Sequence, residues 1–259
     1  MTLCCGKCHK SFINLSGAYI VAMVTRSFPI PMQEQGGAAP PALPLLLREV
    51  AGFAHTRMRA TFAPPVPLEI DGRGKDVFVI PGFLASDRTT ARLRRSLEKA
   101  RFRAHGWGLG RNLGVDADIF DRIDRQFDRN GISEPATLIG WSLGGTIARE
   151  YAKRAPHRVS RVITLGSPFS AHPRANNAWR VYEFVAGHKV DNPPVHAVLH
   201  EKPPVPTFAF WSARDGVVAP DAARGRRGET DYATELDCSH MAFVADPDAI
   251  RAIDRKSVV

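Results

Sequence analysis

Cysteine is nearly absent from the body of this 259-residue chain: Cys4, Cys5 and Cys8 crowd its start, and Cys238 stands alone. A single thiol in the remainder leaves no disulfide framework, so stability has to come from a buried core. Aromatic residues make up only 8% of the chain, and neither an RNA-binding aromatic signature nor zinc-finger spacing accompanies the basic residues. Long apolar runs are missing as well. The stretch INLSGAYIVAMV, residues 13–24, is too short to span a bilayer and lacks a convincing small-x-small cleavage site. No stable membrane insertion is therefore expected, and the cytoplasm is the default location. No internal repeat is visible, which leaves one large core in a single α/β domain.

Positive charge is in excess, with a formal net of +9, but it is mostly arginine and spread along the chain. Its densest run, Arg88 to Arg103, has Leu93, Leu97 and Ala100 at helical spacing, which predicts a helix with its arginines in solvent. No nucleic-acid partner is expected. CGKCH, Cys5 to His9, matches the c-type haem attachment pattern, yet that chemistry follows export, and the four residues upstream hold no signal peptide. A closed zinc site on Cys4, Cys5, Cys8 and His9 would need ligands presented by folded loops. Neither metal nor cofactor is expected.

Residues 1–40 end in the soft stretch QEQGGAAPPALP and read as a poorly ordered extension, with the folded domain over 41–259. Helical periodicity over 43–62 closes at APPVP. Strands are then expected at 76–80, 102–107, 136–140, 161–166, 207–212 and 232–237, and helices at 88–101, 115–130, 143–155 and 247–255. Apolar strands alternating with helices predict an α/β fold: a mostly parallel sheet of about six strands, helices on both faces, and ligands beyond the strands' carboxyl ends.

One turn in this framework is chemically distinctive. In LIGWSLGG, residues 138–145, Gly140 and Gly144 flank Ser142 in a G-x-S-x-G pattern between a β-prone run and a helix. A serine in so sharp a strand-to-helix turn takes strained backbone angles, and side chains two positions either side would collide. The helix start also aims N–H groups and its positive dipole end at whatever the serine attacks. Ser142 is thus the candidate nucleophile. It needs an acid and a base downstream, after strand ends, in the order Ser, acid, His. TFAFWSARDGVV supplies Asp215 just past a late apolar strand, whereas Asp191, Asp221 and Asp231 lie in polar or proline-rich connections. LDCSHMAF puts His240 beyond the last strand, while His157 ends a helix and His172, His188, His196 and His200 sit in the long connection before the acid. A histidine takes the serine proton and returns it to the leaving group, and a buried aspartate fixes its tautomer. VFVIPGF, residues 77–83, ends a strand in a Pro-Gly turn, so the backbone N–H groups of Phe83 and Leu143 are the candidate oxyanion donors. One such donor is typically worth about 2.7–4 kcal/mol in the transition state.

The sequence PGF, GWSLG, ARDG and CSH, in that order over about residues 70–255, resembles the α/β-hydrolase superfamily, particularly its bacterial esterase and lipase-like members. The resemblance implies a triad of Ser142, His240 and Asp215 with Phe83 and Leu143 as oxyanion donors. The single-glycine oxyanion turn is similar to that of lipases and implies tolerance for medium acyl chains. Departures are Pro81, where many relatives have histidine, the first 40 residues, and a reduced strand number. Trp107, Leu109, Trp141 and Phe169 are candidate pocket residues, and 169–206 a candidate small lid. The expected function is a serine ester hydrolase acting through an acyl-enzyme on a small-molecule acyl ester. The alternatives are a thioesterase or acyltransferase with the same triad, and a binding protein that kept the fold without turnover.

Overall fold

Alternate residues of β1 (Asp76–Ile80) enter two different cores: Val77 and Val79 face one side of the sheet, Phe78 and Ile80 the other, and all four are inaccessible to solvent. A strand apolar on both faces has to be covered on both, which is the condition of a parallel sheet inside helical layers. The computed structural model, which describes residues 39–170, 176–177 and 198–257, meets it. The remaining strands are β2 (Arg103–Gly106), β3 (Ala136–Trp141), β4 (Val159–Leu165), β5 (Thr207–Trp211) and β6 (Tyr232–Glu235). They form one six-stranded sheet in the order β2-β1-β3-β4-β5-β6, and every neighbouring pair is parallel. Among the described residues every pairing in the sheet is parallel, in keeping with the mostly parallel sheet expected.

The helices are α1 (Leu43–Phe62), α2 (Ala91–Lys99), α3 (Ile119–Arg129), α4 (Leu143–Arg154), α5 (Pro220–Arg224) and α6 (Pro247–Ser257). α2 and α6 cover one face with Leu93, Leu97, Ala249, Ile250 and Ile253. α3 and α4 cover the other, where Ile119, Ile123 and Phe127 recur at helical spacing. Phe127 sits between Phe78, at 4.9 Å, and Tyr151, at 5.5 Å. Burying each such side chain is worth about 1.5–3 kcal/mol. Strand and helix positions follow the sequence expectation closely. α2 starts three residues later than expected because Ser86 to Thr89 form a turn, with the Thr89 N–H on the Ser86 carbonyl at 2.8 Å. α5 and the 3₁₀ helix His240–Val244 have no counterpart in the sequence reading, being too short to show periodicity.

The solvated arginine face expected of α2 needs correction at Arg92, which is only 6% exposed. Its guanidinium donates to the Pro64 carbonyl at 3.0 Å and to the Ala245 carbonyl. Arg95 likewise donates to the carbonyls of Thr61 and Ala63 at 2.9 Å. The carbonyls that end a helix have no partner within it; Arg95 satisfies one of these, that of Thr61, and the two arginines together tie the chain leaving α1 to α2. The proposed extension 1–40, apart from its last two residues, lies outside the described residues, as does CGKCH. So does most of the proposed lid 169–206. Among the described residues no helix is long and apolar enough to cross a membrane, and no cluster of histidine, cysteine, aspartate and glutamate is arranged to hold a metal.

Candidate active site

Because all six strands run the same way, the connections leaving β1, β3, β5 and β6 emerge at one edge, and these carry the Pro81–Gly82–Phe83 turn, Ser142, Asp215 and His240. Ser142 joins β3 directly to α4 with φ 55° and ψ −124°. A positive φ costs a non-glycine residue of order 1–3 kcal/mol and persists only where the surroundings enforce it. Here they do. The Ser142 N–H donates to the Leu165 carbonyl of β4 at 2.8 Å, and the glycines let α4 fold back against the strands. A Cβ on Gly140 would strike the backbone of Gly144 and Gly145, and one on Gly144 would strike the carbonyl of Ile80. Gly144→Ala is accordingly expected to lower stability by about 3 kcal/mol, the upper end of the usual cost of overpacking. For a chain of this size that is a fall of about 6–12 °C in Tm, read by thermal unfolding followed by circular dichroism. An unchanged Tm would mean that the elbow is not as tight as its geometry indicates.

Asp215 and His240 form a buried pair, 1% and 2% exposed, with the imidazole Nδ1–H donating to Asp215 Oδ2 at 2.7 Å. The other carboxylate oxygen, Oδ1, accepts the N–H groups of Val217 and Val218, each at 2.8 Å. The carboxylate is thus fixed before it meets the histidine, and Nδ1–H donation leaves Nε2 as the acceptor in the neutral ring. Burial disfavours the imidazolium, but the Asp215 charge and hydrogen bond, with Glu49 behind them, outweigh it and hold the His240 pKa above its ordinary 6.5. Trp141 connects the serine to this pair: its indole N–H donates to the His240 carbonyl at 3.0 Å, and its ring lies 5.6 Å from the imidazole. Cys238 is buried, and burial followed by the Asp215 charge pushes its thiol far above the usual range, so it stays protonated.

The turn after β1 lies against the serine, since a Cβ on Gly82 would sit 3.1 Å from that of Ser142. It is held by a residue that the sequence does not single out. Asn112, fully buried, donates from Nδ2 to the Pro81 carbonyl at 2.8 Å and accepts the Leu84 N–H on its own carbonyl at 2.7 Å, with Leu84 at φ 60°. Asn112 ends the GWGLGRN stretch, whose start is fixed by Asp87 accepting the N–H groups of Trp107 and Gly108 at 3.0 Å. Leu143 opens α4, so its N–H has no partner within the helix. Of the four pocket candidates, Leu109 is half-buried and the others are packed: Trp107 bonds the Gly110 carbonyl, Trp141 the His240 carbonyl, and Phe169 lies under the Arg149 guanidinium at 4.0 Å. A second residue beyond the sequence reading, Glu49 of α1, is 5% exposed and accepts N–H groups from the loops that carry Asp215 and His240.

Residues 71–183 match the family described as alpha/beta hydrolase fold. The chain is 29% identical over 115 residues to a pimeloyl-acyl-carrier-protein methyl ester esterase of Shewanella woodyi, a match covering 43% of each protein. It is 32% identical over 117 residues to the enzyme of that name from Photobacterium profundum, covering 43% of this chain and 44% of the relative. The matched stretch thus spans less than half the length of these curated relatives. The carboxylesterase CesB of Bacillus subtilis superimposes with a TM-score of 0.52 at 16% identity, over 81% of this chain and 96% of that one. Motif order, sheet topology and these matches agree: the chain is an α/β-hydrolase-fold protein.

Proposed function

We propose that the protein is a serine carboxylic-ester hydrolase of the esterase and lipase-like kind, acting through an acyl-enzyme on short- to medium-chain acyl esters. The observation that carries this reading is a serine at φ 55° heading a helix, at the same sheet edge as a buried His240–Asp215 pair whose carboxylate is already oriented by two backbone N–H groups. The relatives above are named as methyl ester esterases, which supports ester chemistry.

In this mechanism Ser142 Oγ attacks the ester carbonyl as His240 Nε2 takes its proton, and the N–H groups of Phe83 and Leu143 stabilise the oxyanion. The C–O bond then breaks, and the imidazolium gives its proton to the departing alcohol. Water repeats the attack on the acyl-enzyme, its proton passing to His240; the acyl–Oγ bond breaks, the imidazolium returns that proton to Ser142 Oγ, and the carboxylic acid leaves. Asp215 steadies the imidazolium throughout. Leu109, Trp107, Trp141 and Phe169 are proposed to shape the acyl side.

A fluorophosphonate tests the reading without knowledge of the substrate. One adduct per chain is expected, mapped by peptide mass to Ser142, followed by turnover of p-nitrophenyl esters. Folded protein that takes no adduct would overturn the proposal. The pH profile gives a second check. His240 has to be neutral to accept the serine proton, and its pKa lies above 6.5. The kcat/KM for a p-nitrophenyl ester, which reports the free enzyme, is therefore expected to rise with pH through a midpoint above that value. A midpoint below it would contradict the environment described for the imidazole.

A further inference from the structure

Glu49 is the sole acidic residue of α1, a helix that precedes the whole sheet. Its carboxylate is buried, yet no arginine or lysine among the described residues pairs with it; its partners are backbone N–H groups of the two loops that carry Asp215 and His240. Oε1 accepts from Gly216, the residue after Asp215, at 3.3 Å and from His240 itself, while Oε2 accepts from Met241 at 3.3 Å. α1 lies hard against the acid loop, because a Cβ on Gly216 would strike the Leu45 carbonyl. Asn177 closes the same junction, its Nδ2 donating to the carbonyls of Gly216 at 2.8 Å and Pro41 at 3.1 Å. A buried carboxylate is costly unless hydrogen-bonded, and among the described residues this one is bonded to the backbone that presents the pair.

We infer that Glu49 is a positioning residue of the proposed triad, a clamp from α1 that fixes the Asp215 and His240 loops relative to one another and biases the imidazole electrostatically. The inference rests on the hydrolase reading for its consequence in turnover, but not for its effect on His240. Among the described residues the charged groups acting on that imidazole are Asp215, from the loop after β5, and Glu49, from α1. The Cys238 thiol nearby is neutral, and the Arg214–Asp237 pair stands exposed.

Two variants separate clamp from charge. Glu49→Gln keeps a carbonyl oxygen for Gly216 and His240 but sets its NH₂ against the Met241 N–H and removes the charge. Most of kcat is expected to survive, while the His240 titration, followed by NMR of histidine-labelled protein, moves to lower pH together with the acid limb of kcat/KM. Glu49→Ala removes both functions, and kcat is expected to fall by about 100-fold, the scale of a small misplacement of catalytic groups, with KM little changed. Wild-type kcat in both variants with an unmoved His240 titration would overturn the inference. A purely structural role would lower Tm and leave the titration of the folded protein in place, which also overturns it. Should Glu49→Ala fail to fold, Glu49→Gln and its titration decide. Folded wild type without adduct or turnover would remove the hydrolase reading alone, since the NMR titration still reports whether Glu49 acts on His240.

Discussion

Ser142→Ala is expected to lower kcat on p-nitrophenyl esters by about 10⁶-fold and to abolish the fluorophosphonate adduct. The magnitude follows from the role proposed for the hydroxyl: on that mechanism there is no acyl-enzyme without Oγ, and the remaining rate is what the oxyanion donors and binding alone provide. Alanine takes up no more space than serine, so the close approach of the Gly82 turn to the Cβ at position 142 is undisturbed, and the positive φ is borne equally by both residues. Tm should therefore stay within a few degrees of wild type, which separates loss of chemistry from loss of fold. Adding His240→Ala to Ser142→Ala should cost little more, because residues that act as one unit are strongly non-additive. An adduct or turnover that persisted in Ser142→Ala would place the reactive group elsewhere in the chain.

Asp215→Asn is expected to reduce kcat by about 10⁴-fold with KM nearly unchanged. Asparagine can keep a carbonyl oxygen towards the N–H groups of Val217 and Val218, which now hold Oδ1 at 2.8 Å. Its NH₂ then faces His240 Nδ1, where the carboxylate accepted at 2.7 Å. The imidazole is driven to carry its proton on Nε2, the wrong tautomer for a base towards Ser142. Steady-state kinetics on a variant of wild-type Tm measure the effect, and a loss below tenfold would show that another group orients the histidine.

The candidate site positions can be picked out in the sequence because each is bound to a steric or topological demand. Gly140 and Gly144 announce the elbow, since a Cβ at either place meets backbone. Asp215 and His240 announce themselves by following late strands, and the structure joins them directly. β1 and β3 are legible because both of their faces are buried, leaving nearly continuous apolar runs. Glu49 is not legible, because its role depends on where α1 packs and no spacing to Asp215 or His240 encodes that. Its one signal is that it is the only acid in an otherwise apolar and basic helix. Asn112 leaves no signal at all: an asparagine after a glycine-rich turn reads as a loop residue, and only the fold brings its amide to Pro81. Arg92 departs from expectation because periodicity marks the apolar side of a helix, not which arginines at its border find carbonyls to bind.

The contact between Glu49 and His240 joins positions 191 residues apart. Ser142 and all six strands precede His240 in the chain, so on the proposed mechanism a chain that stops short of His240 holds the serine with no base beside it. Closing so long a loop costs entropy that is recovered only when both ends have docked. On the proposed mechanism the site is completed by the part of the chain made last, and an unfinished chain presents nothing more reactive than an alcohol.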